Sequence, residues 1–186
     1  MGTIMKSKEN KVLSLFFNYP TKHWHFEEIL KETKLARSKA DHWLKQFINE
    51  DLIVRVKPVG KMPYYISDYD SPNYQNRKKI FALNQLYESG FLNHLAALNS
   101  AKTIILFGSF SRSDWYKDSD IDLFIYGNSG GLDLNTYERS LRREIQIFEC
   151  KNNSELNKLT PGLIKNIIKG DIIKGNIDFI KVEING

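Results

Sequence analysis

The sequence predicts an α+β protein in two parts, and three observations carry that prediction. Apolar residues between 12 and 48 recur at helical spacing in three short blocks. Two β-rich runs, Leu52–Val56 and Met62–Ile66, flank the Gly-containing turn Lys57–Lys61. Beyond residue 100, apolar strand-like runs alternate with helical patterns. The chain has 186 residues, 41% hydrophobic and 26% charged, which excludes collagen-like and largely disordered classes. No apolar run approaches the ~20 residues that cross a bilayer, so no membrane contact is expected. Met1–Asn10 is polar and has no apolar core, so no secretory signal is expected. The single cysteine, Cys150, excludes an internal disulfide and a cysteine-based zinc site and fits a cytoplasmic location. A net charge of +5, spread over both halves with no basic tail, suggests an anionic partner without identifying one.

Val12, Leu13, Leu15, Phe16 and Phe17 predict a first helix, stopped at Asn18-Tyr19-Pro20. A second runs from about Trp24 to Thr33, with Phe26, Ile29 and Leu30 inward. After the short connection Lys34–Arg37, Ser38 is the expected N-cap of a third helix. Ala40, Trp43, Leu44, Phe47 and Ile48 are its buried stripe. The hairpin follows, and the turn-forming cluster Ser67–Asn73 marks a boundary. A connecting helix is expected from about Pro72 to Leu98, with Ile80, Leu83, Leu86, Tyr87, Leu92 and Leu95 as its stripe and Gly90 as a break. The domains expected are therefore residues 1–70, a connecting helix over 71–100, and residues 101–186.

Three short helices, a tight second connection and a basic hairpin resemble a winged helix-turn-helix domain over about residues 8–68. That resemblance implies a recognition helix presenting Arg37, Ser38, Lys39, Asp41, His42, Lys45 and Gln46 to phosphates or base edges. The wing would offer Arg55, Lys57 and Lys61 to the backbone of duplex DNA. A protein contact through the same faces is the competing expectation.

Residues 103–127 carry the strongest chemical signal. A buried strand ends in Gly108-Ser109, a short helix or turn intervenes, and a second strand carries Asp120-Ile121-Asp122. Glycine lets the backbone approach a phosphate, and the following amides and the Ser109 hydroxyl can donate to its oxygens. Alternation puts both carboxylates on one face and Ile121 and Leu123 in the core. Side-by-side carboxylates repel unless a cation lies between them, and oxygen ligands suit Mg²⁺.

Gly-Ser, about ten residues, then Asp-x-Asp in an apolar strand resembles the signature of the DNA-polymerase-beta-like nucleotidyltransferase superfamily, its minimal branch in particular. The resemblance covers about residues 84–180. It implies a small mixed-sheet domain that moves a nucleoside monophosphate from an NTP to an acceptor hydroxyl. Asp120 and Asp122 would hold Mg²⁺ or Mn²⁺, while Gly108 and Ser109 would anchor the terminal phosphates. Arg112 would support the triphosphate or cap the intervening helix. The superfamily's third carboxylate falls on Gln146 in the expected strand Arg143–Cys150, preceded by a helix around 135–141. An amide is no general base. Glu144 shares the face of Gln146 and Glu149 lies on the other, so these three remain the candidates for the third catalytic position. Leu159–Gly175 resembles the helix with a glycine stop found late in minimal nucleotidyltransferases, with Lys165 and Lys169 four apart on one face.

Two functions follow. The leading one is a Mg²⁺-dependent nucleotidyltransferase with an unidentified acceptor. The competing one is a DNA-binding regulator whose transferase-like domain senses a nucleotide or dimerises, which adds a homodimer to the partners considered.

Overall fold

The computed structural model describes residues 8–179. Most of the stretch read above as free of a secretory signal lies outside the described residues. Among these residues no helix is long and apolar enough to cross a membrane. The fold is α+β, and the chain forms two compact units. The first comprises residues 1–85 and 113–118, the second residues 86–112 and 119–186.

In the first unit, helices α1 (Lys8–Asn18), α2 (Phe26–Thr33) and α3 (Arg37–Asn49) precede strands β1 (Ile53–Val56) and β2 (Tyr64–Ser67). The two strands pair antiparallel. Val12, Phe16, Phe17, Ile29, Leu44 and Phe47 are buried together with Trp24. Trp24 stands outside α2, because its N–H and C=O both bond Tyr65 at 2.8 Å in an isolated bridge. Lys34 takes the left-handed conformation, φ 55°, and its N–H bonds Leu30 O, which ends α2 abruptly. The turn is consequently shorter than predicted. Ala36 is the N-cap of α3 and makes no side-chain cap bond, so Ser38 is a residue within the helix and not its cap. Trp43 and Ile48 are only half-buried.

Helix α4 (Pro72–Glu88) buries Leu86 of the expected stripe and half-buries Leu83, but the rest of its inward face is a different one. Tyr74, Lys78, Phe81 and Ala82 are buried, whereas Ile80 and Tyr87 are exposed. The i, i+4, i+7, i+8 stripe includes a lysine, which conceals it from a reading by apolarity. Ser67 Oγ and Tyr74 Oη both donate to Phe16 O, at 2.9 and 3.0 Å, satisfying a last-turn carbonyl of α1.

In the second unit, Gly90 at φ +80° breaks the helical run before α5 (Phe91–Ala97). Then come β3 (Ala101–Phe107), α6 (Gly108–Arg112), β4 (Ile121–Gly127), α7 (Leu134–Leu141), β5 (Ile145–Cys150), α8 (Asn153–Leu156), α9 (Pro161–Ile168) and β6 (Asp171–Lys174). The sheet order is β5-β4-β3-β6. β4 and β5 run parallel and the other pairs antiparallel, so the sheet is mixed. The parallel pair is joined through α7, as a crossover requires. One face carries a core of Ile105, Phe107, Phe124, Cys150, Leu156 and Ile167.

The run Leu159–Gly175 is not one helix. α9 starts on a Thr160 cap with Pro161 in its first turn and ends at Ile168. A Cβ on Gly170 would lie 2.5 Å from Leu106 O and 2.6 Å from Ile105 Cγ2, so only glycine lets the chain fold back against β3 there. The following Asp171, Ile172 and Lys174 pair with Leu106, Ile105 and Ile104 as strand β6.

Candidate nucleotide site

The antiparallel register of β3 and β4 sets Phe107 opposite Asp122, so the next residue, Gly108, opens α6 against the Asp122 carboxylate. Gly108 has φ +71°, and a Cβ there would overlap Asp122, with Cγ at 2.9 Å. Both the backbone angle and the missing side chain are required at this point. Gly108→Ala is therefore expected to displace Asp122 and strain the turn, lowering the melting temperature by a few degrees. A thermal melt measures it.

Asp120 lies one residue before β4 rather than in it, while Ile121 and Leu123 are fully buried, as the alternation predicts. Asp122 is half-buried. Burial first, and the neighbouring Asp120 charge second, push its carboxyl above the usual range, and Arg112 partly opposes them. Arg112 ends α6 and is exposed; Ser109 is half-buried on the same turn.

The parallel register of β4 and β5 places Gln146 directly beside Asp122. Its Nε2 donates to Asp120 Oδ2 at 2.6 Å. Glu144 is exposed just before β5, and its carbonyl accepts from Ile121 N at 2.9 Å. Glu149 pairs with Ile125, three positions along from Asp122. There its Oε2 accepts from Ser129 N at 2.7 Å, with Lys151 Nζ 3.6 Å from its other oxygen. Its carboxyl is held below the usual range by the Ser129 bond and, less strongly, by Lys151. Gln146 is thus brought to the carboxylate pair, whereas Glu149 fastens the loop after β4. No group of three or more His, Cys, Asp or Glu residues able to hold a metal occurs among the described residues.

Two carboxylates beside an amide form an oxygen donor set, and Mg²⁺ is commonly held by one or two carboxylates completed by substrate phosphates and water. Burial is the larger cause of the raised Asp122 carboxyl, and a cation would relieve only the smaller part that the Asp120 charge contributes. The donor set fits the ion. One supporting residue escapes the sequence reading. Arg143 Nη1 donates to Ser119 O at 2.8 Å, and its guanidinium lies 5.0 Å from the Phe110 ring centre. It pins the residue before Asp120 from the foot of β5, and only the strand register reveals that.

In the first unit, Arg37, Ser38, Lys39, His42 and Lys45 are exposed on α3, whereas Asp41 and Gln46 are half-buried. Arg37 is paired with Glu27 at 2.7 Å and Lys45 with Asp41 at 2.7 Å. Both pairs favour the charged cations. Arg55, Lys57 and Lys61 are exposed on and beyond β1. Val59 and Met62, on the same connection, are 101% and 74% exposed, so its surface is apolar as well as basic. Lys165 and Lys169 are exposed on and after α9.

Neither a curated protein nor a solved structure matches the chain. The family of nucleotidyltransferase domains matches residues 89–184. The matched stretch includes Gly108-Ser109, the Asp120–Asp122 pair and the strand that brings Gln146 beside it. With more than half its length matched, this chain belongs to the nucleotidyltransferase-domain family.

Proposed function

We propose that the chain is a Mg²⁺- or Mn²⁺-dependent nucleotidyltransferase that moves a nucleoside monophosphate from an NTP to an acceptor hydroxyl, releasing pyrophosphate. The observation that carries this reading is the close approach of Gly108 to Asp122 with Asp120 alongside. A phosphate-binding turn has little reason to abut paired carboxylates unless both face the same substrate. Asp120 and Asp122 would hold the divalent ion, which when bound neutralises charge on the transferring phosphorus and its leaving group. Gly108 keeps the turn free of a side chain so that the terminal phosphates can reach backbone amides, and Ser109 adds a hydroxyl donor. Arg112 supplies positive charge to the triphosphate. Gln146 orients Asp120 through its amide and holds no proton that could move at neutral pH.

Two measurements test the reading. MgATP should raise the melting temperature of the wild-type chain by roughly 5 °C or more when ligand exceeds its dissociation constant 100-fold. Labelled NTP should pass label to an acceptor when offered lysate proteins and RNA. Nucleotide binding without any transfer favours the second reading, a nucleotide-sensing regulator. The specific observation behind that reading is the neutral Gln146 in the third position.

For the first unit we propose a winged helix-turn-helix that contacts duplex DNA, supported by exposed Lys39 and His42 on α3 and exposed Arg55, Lys57 and Lys61 near the hairpin. Arg37 and Lys45 would have to exchange their present carboxylate partners for phosphates. Affinity should therefore be modest and steeply salt-dependent. Charge reversal at both Lys39 and Lys45 should weaken duplex binding at least tenfold and flatten the salt slope by about two. Fluorescence anisotropy over a salt series measures both, and no binding at low salt assigns this face to a protein partner.

A further inference from the structure

The peptide unit that joins Glu144 to Ile145 is tied down at both of its polar groups. Its carbonyl, on Glu144, accepts from Ile121 N at 2.9 Å, and Ile121 stands between Asp120 and Asp122. Its N–H, on Ile145, donates to the carboxylate of Glu138, with Oε1 at 3.0 Å. Ile145 is buried, so that N–H would be costly to leave without an acceptor. Glu138, Ile121, Ile145 and Gln146 all belong to the second unit.

Glu138 is well placed to hold the strand. It lies in the last turn of α7, a helix that Asp133 caps at its start. Its carbonyl accepts from Arg142 N, at the left-handed residue that ends the helix, and from Arg143 N at 3.2 Å. One residue thus closes α7 through its main chain and secures the first residue of β5 through its side chain. The consequence falls on Gln146, the next residue along β5. Gln146 is exposed, and its Nε2 bond to Asp120 has to outweigh the rotamer freedom of a long side chain. That bond persists only while the backbone beneath it stays in place. The other end of β5 has a similar cap, since Lys151 N donates to Glu155 Oε2 at 2.7 Å. Only the Glu138 bond adjoins the peptide that Ile121 holds. We propose that Glu138 is a positioning residue for the nucleotide site: by holding the Ile145 N–H, its carboxylate sets where Gln146 meets Asp120. The effect on affinity rests on the nucleotide-site reading above; the placement of Gln146 does not.

The test compares the full chain with Glu138→Leu, Glu138→Gln and Glu138→Asp, and with Glu155→Leu as a control that removes the same kind of bond. NMR reads the Gln146 side-chain amide protons, identified by their loss in Gln146→Leu, and calorimetry reads MgATP affinity. In the wild type the proton held by Asp120 should resonate apart from those of free glutamine amides. Glu138→Leu should return it to the free position and weaken MgATP about tenfold, the low end of what losing a partner of a metal-holding carboxylate costs. Glu138→Gln keeps an acceptor oxygen and should preserve both readouts. Glu138→Asp keeps the charge but is one methylene short, so it should move the signal the same way. It decides the question where the leucine variant does not fold. Glu155→Leu should lower the melting temperature and leave the signal in place. An unmoved signal in Glu138→Leu or Glu138→Asp overturns the proposal. So does an equal displacement by Glu155→Leu or by Glu138→Gln, and so does unchanged MgATP affinity once the signal has moved. A displaced signal in a protein whose wild type binds no MgATP upholds the placement of Gln146 and overturns the nucleotide-site reading instead.

Discussion

Asp122→Asn is expected to abolish the stabilisation by MgATP proposed above and, in metal-free buffer, to make the protein more stable than wild type. Both effects come from the same electrostatics. Burial and the nearby Asp120 charge raise the Asp122 carboxyl above its unfolded value. A group whose folded pKa is raised binds its proton more tightly when folded. Its contribution to stability is therefore complete below the ordinary carboxylate range and is lost as pH rises through the raised value. At pH 7 the ionised Asp122 is a liability that a neutral amide removes. The gain should be a few degrees at most, because the group is only half-buried. In a chelator the two melting curves should lie apart at pH 7 and converge toward pH 3. With MgATP the order reverses, since only the wild type keeps both carboxylates for the cation. A mutant that gains as much from MgATP as the wild type would remove Asp122 from the site.

The second large effect is expected from Gln146→Asp. Register and a 2.6 Å bond already place this side chain beside Asp122 and Asp120. An aspartate there adds a third carboxylate, which can accept a proton from an acceptor hydroxyl, where the amide cannot. General-base assistance is worth about 10²–10⁴-fold, so label transfer should rise by about 10²-fold or appear where the wild type gives none. The substitution also sets three negative charges together, so the metal-free protein should lose stability and depend more strongly on divalent ion. Glu149→Gln should leave transfer unchanged, because Glu149 holds Ser129 and lies three positions along the sheet from Asp122. Transfer that falls with Glu149→Gln and does not respond to Gln146→Asp would move the base to Glu149.

How far the sequence discloses this arrangement depends on the range of the interaction involved. Gly108-Ser109 and Asp120–Asp122 are readable because strand, turn and strand are contiguous, and alternation alone puts Ile121 and Leu123 inward. The third position falls on Gln146 only through the family resemblance, and its place beside Asp122 comes from the register of β4 and β5. Other features depend on partners distant in sequence. Residues 171–174 continue an apolar helical pattern and become a strand only because Gly170 allows close approach to β3. A short apolar run cannot be assigned to helix or strand by periodicity alone. The inward face of α4 is hidden by Lys78, whose charge argues for the surface until the Trp115 carbonyl is seen to receive it. Ser38 carries the chemistry of a cap, yet the left-handed turn at Lys34 starts the helix too early for it to serve.

The crossing of the chain at Ser113–Asp118 also sets the order in which the protein can be made. The first unit is discontinuous in sequence, so a ribosome must deliver at least 118 residues before that unit has all its parts. Until then Phe17 and Phe81 lack the Trp115 indole that covers them. A nascent or truncated chain ending near residue 100 would carry an open apolar seam, of the kind that chaperones bind and that drives aggregation. Cutting this protein at the apparent boundary after the hairpin would therefore yield two incomplete pieces, and the first unit is completed only after residues 86–112 of the second have been made.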